Sequence, residues 1–419
     1  MMHRAILGSA RRRGLAPPRT VLMWVVVALL VALVLYAVAP QILPVRIYEG
    51  PMVQVPTETS VTLVWYTTRP AACTVTITTP AGSRTLQATT DGLRQHVRID
   101  GLEPDSDYPY QIRTGARQLT DGLVFRTNRT ADQPFSFFVF GDSGKGSRNQ
   151  YALAADMLRL KPIPDFLLHT GDMVYPDGAR ERYHDRFFTP YRSLLPRMAF
   201  WPCLGNHDIQ EDGTAPAAQE VFELPDNGPA AIKTGFNYWF DYANCRVAVI
   251  DSNLDEAVLE QTIAPWLADV LSDEAPRWKI VALHHPPYTG GKYAPDERIQ
   301  KTLVPVMEAG GVDLVFNGHD HDYQRSRPLR GGAVVQPGEG IVYIVTGAGG
   351  AALYEPRGEL PPYIAAAEFK QHSFTQVEID GDELVLHQIG AGGQELDRLV
   401  MQKPPLTDSA PATQPQDAP

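Results

Sequence analysis

Cysteine is nearly absent: Cys73, Cys203 and Cys245 are the three in 419 residues. Their spacing fits neither a zinc ribbon nor a redox pair. An odd count leaves at least one thiol free, and the expected role for all three is that of small buried apolar side chains. A basic surplus is also missing. There are 37 lysines and arginines against 48 aspartates and glutamates, so the net charge is −11, with a pI near 5.5. A general nucleic-acid binder wants a basic stripe, and that class is excluded. A small phosphorylated substrate is not, because bound cations can supply local positive charge. Core-forming residues are not scarce. A hydrophobic content of 44% with 20% charged residues describes an ordinary globular protein, and the length allows two domains.

Charge disappears altogether between Thr20 and Val45. Arg4, Arg11, Arg12, Arg13 and Arg19 precede this stretch, whose apolar core, Val21 to Val38, is long enough to cross a bilayer. The arginines would stay cytoplasmic, which sends the rest of the chain outside as a membrane-anchored, extracytoplasmic protein. A cleaved signal peptide is the rival, since Ala37-Val38-Ala39 has the small-x-small pattern. The long apolar core and Pro40 favour the uncleaved anchor.

From residue 45 to 130 the chain lacks any cluster of acids, histidines or cysteines, and no chemistry is assigned there. Val61–Tyr66, Cys73–Thr78, Arg94–Ile99 and Asp107–Arg113 alternate and are rich in β-branched residues. Pro80-Ala81-Gly82-Ser83 and Asp91-Gly92 punctuate them as turns. Short strands at this spacing predict a small β-sandwich. Asn128-Arg129-Thr130 matches a glycosylation acceptor pattern.

After Gln133 apolar runs alternate with helical stretches. The runs are Phe135–Phe140, Phe166–His169, Phe200–Leu204, Val247–Ile250, Ile280–Leu283, Asp313–Phe316 and Ile341–Val345. Helices are expected over Asn149–Leu160, Glu256–Leu271 and Asp296–Ala309. This pattern predicts a layered α/β domain over 131–402. Phe374–Asp380 and Glu383–Gln388 read as a closing hairpin. A Pro/Ala-rich tail, expected to be disordered, takes 403–419.

Five of the runs end in a loop carrying metal-ligand residue types. They lead into Gly141-Asp142-Ser143-Gly144, Gly171-Asp172-Met173-Val174-Tyr175, Gly205-Asn206-His207-Asp208, His284-His285-Pro286 and Gly318-His319-Asp320-His321. One Gly-Asp pair is only a turn; five such blocks at strand ends are a specific signal. Two neighbouring cations repel each other, and a bridging carboxylate offsets that repulsion. Asp172 is the candidate bridge, Asp142 a ligand to one ion, and Asn206 and His284 ligands to the other. His319 and His321 divide between them. Oxygen and nitrogen donors without thiolate suit iron, manganese or zinc. His285 reads as packing beside a ligand, and His169 as structural.

These blocks resemble the signature of the calcineurin-like metallophosphoesterases, and specifically of the purple acid phosphatases. The β-rich segment before them, with Gly101-Leu102-Glu103-Pro104, Tyr108 and Tyr110, resembles the fibronectin-III-like domain of the larger members. The resemblance implies an α-β-β-α sandwich behind an all-β sandwich and an N-terminal transmembrane helix. It also implies two-metal hydrolysis of phosphate monoesters. Asp142, Asp172, Tyr175 and His321 would hold Fe(III). Asp172, Asn206, His284 and His319 would hold a divalent iron, zinc or manganese. Tyr175 marks the subfamily, since the first block has Gly144 where the wider superfamily has a ligand histidine. The resemblance makes His207 a catalytic group that orients phosphate and helps protonate the leaving group. Two other functions stay open: a phosphodiesterase with the same ligands, and a non-enzymatic surface-anchored binding module. Larger members also carry histidines nine or ten residues after the His284 position. Here those positions are Tyr293 and Ala294, which leaves the contacts to the leaving group undefined.

Overall fold

The computed structural model describes residues 21–30, 44–131, 133–232 and 235–405. Two sheets lie face to face. The larger has ten strands, in the order Glu395–Gln402, Glu383–Gly390, Ser373–Asp380, Phe135–Phe140, Phe166–His169, Ala199–Pro202, Ile47–Gln54, Ser60–Thr67, Arg94–Asp100 and Thr89–Asp91. The other has seven: Tyr238–Tyr242, Cys245–Ile250, Trp278–Leu283, Leu314–Asn317, Val342–Thr346, Tyr323–Ser326 and Ile364–Glu368. A smaller sheet from Gly82–Gln87, Thr74–Thr79, Asp107–Thr114 and Arg117–Gln118, with Leu123–Arg126 also paired to Asp107–Thr114, completes the N-terminal sandwich.

The central strands are parallel and buried on both faces, which is why they read as unbroken apolar runs. All six residues of Phe135–Phe140 are buried, as are all six of Cys245–Ile250. Phe137, Leu168 and Trp201 of one sheet and Val247, Ile280 and Phe316 of the other belong to one core between the layers. Leu153 and Met157 of the helix Arg148–Arg159 cover the outer face of the first sheet. The helices Ala264–Leu271 and Val304–Ala309 cover the second. The result is an α-β-β-α sandwich. Ser147 caps the first of these helices by accepting from the Gln150 N–H, and Asp296 caps Glu297–Thr302, each satisfying amides that lack an intrahelical partner.

The expected runs and helices are present with shifts of a residue or two. The stretch 256–271 is helical throughout but opens into a wide turn at Leu259–Ile263. The stretch 296–309 divides at Leu303, just before Pro305. The closing hairpin gains a third strand, Glu395–Gln402. Lys403, expected in the tail, instead pairs with Asp313; residues 406–419 lie outside the described residues.

The β-rich segment expected over 45–130 does not stand apart from the α/β part. Ile47–Gln54 runs parallel to Ala199–Pro202, in register at Val53 and Ala199, and joins the two halves into one sheet. The physical reason lies in burial. Ser60–Thr67 alternates as though one face met water, yet all eight residues are buried. Val61, Leu63 and Trp65 enter the inter-sheet core. Val64 and Tyr66 pack with Phe188 and Val221 of the α/β part. All three cysteines are buried and free. Asn128 is buried too, and its side-chain amide donates to the Pro56 carbonyl at 3.1 Å.

The expected membrane span, Val21 to Val38, lies partly outside the described residues. Residues 21–30 are helical and exposed. No helix among the described residues is long and apolar enough to cross a membrane.

Candidate metal centre

Strands from both sheets end at one place. Phe135–Phe140, Phe166–His169 and Ala199–Pro202 arrive from the first sheet, and Trp278–Leu283 and Leu314–Asn317 from the second. Their loops are bonded to one another. The Asp142 N–H donates to the Gly171 carbonyl at 2.9 Å, Gly318 N–H to His284 at 3.0 Å, and Tyr175 N–H to Gly144 at 3.0 Å. Asp142, Asp172 and His319 have φ of 55°, 59° and 70°. They are three of the six non-glycine residues with positive φ among the described residues. Aspartate and histidine tolerate that region better than bulky or β-branched residues, and such strain collects where function requires it.

Two of the glycines with no room for a side chain show how closely the loops meet. A Cβ at Gly205 would stand 2.1 Å from Asp172 Oδ1. A Cβ at Gly144 would stand 1.9 Å from the Met173 carbonyl, so the histidine common at that position elsewhere in the superfamily has no room here.

Two groups of ligand atoms result. Asp142, Asp172 and His321 form one, and His284, His285 and His319 the other; within each, the ligand atoms all lie within 4.8 Å of one another. In the first, Tyr175 Oη is 2.9 Å from His321 Nε2 and 3.4 Å from Asp142 Oδ1. His321 Nε2 is 3.5 Å from the same carboxylate oxygen. In the second, Asn206 Oδ1 lies 3.1 Å from His284 Nε2 and 3.0 Å from His319 Nδ1. Asp172 Oδ1 is 3.6 Å from His284 Nε2 and so stands beside both groups. The seven residues expected as ligands are therefore brought together.

The imidazoles are oriented from behind. His284 Nδ1 donates to the Thr170 carbonyl at 2.8 Å, and His321 Nδ1 donates to Ala352 at 2.7 Å. Each Nε2 is thereby left as a lone pair aimed inward. His207 Nδ1 donates to Pro176 at 2.6 Å, and its ring lies 4.6 Å from that of Tyr175. Asp208 does not pair with His207. It accepts instead from Val174 N–H at 3.1 Å and Gly205 N–H at 2.9 Å, tying the second and third blocks together.

Burial shapes the electrostatics. It pushes Asp142 well above the usual carboxylate range, and the nearby Asp172 adds to this. Burial acts against Asp172 as well, but its neighbours His284 and His207, the latter also through its backbone N–H, outweigh it and hold Asp172 low. Burial, followed by both carboxylates, drives the Tyr175 phenol upward. Burial lowers His319 to about 3 and pushes His285 well below its ordinary value. Neutral imidazoles are what metal ligation requires.

His169 is structural, as expected. Its Nδ1 accepts from the Gly171 N–H at 3.2 Å, and its Nε2 is 2.9 Å from Ser143 Oγ. His285, expected as packing, has its Nδ1 against Ser252 Oγ at 2.8 Å but also a ligand atom within the second group. Three contacts escaped the sequence reading. Tyr354 stacks on His321 at 4.0 Å, Tyr293 stacks on His319 at 4.2 Å, and the Lys145 ammonium lies 4.7 Å from the Tyr175 ring centre. Tyr354 follows a Gly-rich loop far along the chain and carries no local signal.

An α-β-β-α sandwich whose strand tips gather carboxylates, imidazoles and a phenol defines the class: a protein built to hold metal ions at the edge of two sheets. Residues 135–323 match the calcineurin-like phosphoesterase family, and the chain carries a calcineurin-like metallophosphoesterase domain. An uncharacterized protein of Mycobacterium tuberculosis is 26% identical over 325 residues, covering 64% of this chain and 60% of that protein. The chain thus spans about 60% of the length of the first curated relatives it matches. Purple acid phosphatase 17 of Arabidopsis thaliana is 25% identical over 269 residues, covering 55% of this chain and 72% of that protein. The structure of a purple acid phosphatase from yellow lupin seeds superimposes with a TM-score of 0.72 at 18% identity. That match covers 84% of this chain and 74% of the other.

Proposed function

We propose that this chain is a purple-acid-phosphatase-like enzyme that hydrolyses phosphate monoesters at a pair of metal ions, Fe(III) and a divalent iron, zinc or manganese. The observation that carries the reading is a surplus of acceptors. His284 Nε2, its other nitrogen already donating, faces Asn206 Oδ1 and Asp172 Oδ1 with no donor between them. On the other side, the single phenolic proton of Tyr175 is shared between His321 Nε2 and Asp142 Oδ1. Lone pairs converging in a buried site repel unless a cation lies among them. The donor set fits such ions: Asp142, Tyr175 and His321 on one, Asn206, His284 and His319 on the other, and Asp172 between.

When bound, two such ions acidify water and neutralise charge that develops on phosphoryl oxygens. The chain's own residues supply the rest. Asp172 is fixed by the His207 N–H at 2.9 Å, so its reach is set by the backbone of the third block. His207, with its Nδ1–H engaged by the Pro176 carbonyl, can donate to a substrate oxygen or protonate a departing alkoxide only through Nε2–H of its imidazolium form. Tyr293 and Tyr354 cover the outer faces of His319 and His321 and keep water from those ligands.

In the same reading, the segment 20–45 is an anchor that leaves the sandwich and the site outside the cytoplasm. The tests are metal analysis of the purified protein, turnover of an aryl phosphate, and the visible spectrum. We expect two ions per chain, hydrolysis, and a tyrosinate-to-iron(III) absorption band that Tyr175→Phe removes. A carefully metallated preparation with neither paired ions nor turnover would end the reading. Cell fractionation tests the anchor separately.

A further inference from the structure

Residues 289–293 are tied to the turn that carries His319 and His321. Asp320, fully buried between those histidines, accepts from Thr289 Oγ1 at 2.6 Å and from the Tyr293 N–H at 3.0 Å. Gln324 Oε1 accepts from the Gly290 N–H at 2.6 Å, and Gln324 Nε2 donates to Thr289 Oγ1 at 2.9 Å. The loop lies against the carboxylate: a Cβ at Gly291 would stand 2.5 Å from the carboxyl carbon of Asp320. A backbone held this way places the next two side chains relative to the metal-binding histidines.

Those side chains are Lys292 and Tyr293. Tyr293 stacks on His319, and its ring meets Tyr354 edge-on at 5.8 Å and 80°. Tyr354 lies flat on His321, 12° from parallel. The Lys292 ammonium stands 3.9 Å from the Tyr354 ring centre and 5.0 Å from that of Tyr293. His321 occupies one face of Tyr354, so Lys292 takes the other, and the ring separates cation from imidazole. Lys292 is exposed and has no carboxylate within ion-pair distance among the described residues. A ring face holds the exposed Lys292 ammonium only weakly, so an incoming anion meets it without first breaking an ion pair.

We propose that Lys292 is a specificity-determining residue that receives a negative charge on the leaving group of the phosphoester, and that Asp320 positions it. The inference rests on the phosphoester reading above. The ammonium stands one aromatic ring beyond His321, to one side of the centre at which the phosphoryl group would bind. What it meets is the remainder of the molecule. The favoured class is phosphoesters whose leaving group bears a carboxylate or a further phosphate.

The test is equilibrium binding by calorimetry of two non-hydrolysable ligands to the full, metal-loaded chain: phenylphosphonate and 4-carboxyphenylphosphonate. The unaltered protein should prefer the carboxylated ligand by roughly fivefold, the worth of one part-exposed charge pair. The ratio should fall to about one in K292M and persist in K292R. D320A should lose the preference as K292M does, and D320N, which keeps an acceptor for the Tyr293 N–H, should retain it. No preference in the unaltered protein, or a preference that survives K292M, overturns the role of Lys292. A preference that survives D320A overturns the role of Asp320. Preferential binding without turnover of any phosphate ester overturns the hydrolytic reading alone, and failure to bind either ligand overturns both.

Discussion

Asp172 is the residue on which the site turns. Its backbone is left-handed, it accepts the His207 N–H, and its carboxylate stands beside both ligand groups. Asp172→Asn keeps the shape and removes the charge that offsets repulsion between two cations. Turnover should fall by more than the about 10–100-fold typical of substitutions behind a ligand, and metal content should drop at both sites. Full activity with two ions bound would rule out the bridging role. His169 makes a different prediction. Burial lowers it to about 3, against about 6.5 in an unfolded chain. Between those values the unfolded chain binds a proton that the folded chain refuses. Its contribution is therefore complete above pH 6.5 and is lost as the pH falls toward 3. Denaturant titrations of His169→Gln should show a stability slope flatter by up to about 1.4 kcal/mol per pH unit across that window. An unchanged slope would assign the acid sensitivity to another group.

At the scale of elements, the site is made by turns that follow buried strands. Tight contact between those turns is what lets ligands from five loops meet. Gly205 lies hard against Asp172, with no room for a methyl group. Gly205→Ala should therefore displace the carboxylate while the sheets remain formed. We expect a loss of turnover of about 10²-fold, the order associated with an ångström of misplacement. An unchanged far-ultraviolet circular dichroism spectrum would separate this effect from unfolding. The five ligand-bearing loops were legible in the sequence because each couples a continuous apolar run to glycine and a ligand residue type. Tyr354 and Lys145 were not, because nothing local marks an aromatic ring or a lysine that meets its partner only after both sheets have closed.

At the scale of the whole molecule, the two halves share a sheet and also a buried ion pair. Glu49, on the strand Ile47–Gln54, is only 1% exposed in its side chain and pairs with Arg180 at 2.6 Å. Arg180 also reaches Glu220 at 2.9 Å and lies over the Tyr66 ring. Arg180→Ala leaves a buried carboxylate without its partner, a change that costs about 3–5 kcal/mol when both groups are buried. With Arg180 28% exposed, the lower end of that range is expected. Thermal unfolding should remain a single transition at a lower midpoint. Two separate transitions in the unaltered protein would contradict the shared sheet.

The sequence by itself determined the kind of layers, the chain order of the strands that end at the site, and which side chains gather there as candidate metal ligands. These are local properties: apolar runs, turn glycines and residues of fixed donor chemistry. The tertiary structure alone decided that Ile47–Gln54 would join the sheet of the α/β part. It also decided that alternating Ser60–Thr67 would be buried on both faces, and that Lys292, Tyr293 and Tyr354 would cover the histidines. The physical reason is the same in each case. Local sequence says which side chains share a face, but what lies against that face depends on residues distant in the chain, from 26 positions for Tyr293 and His319 to more than a hundred for Val53 and Ala199.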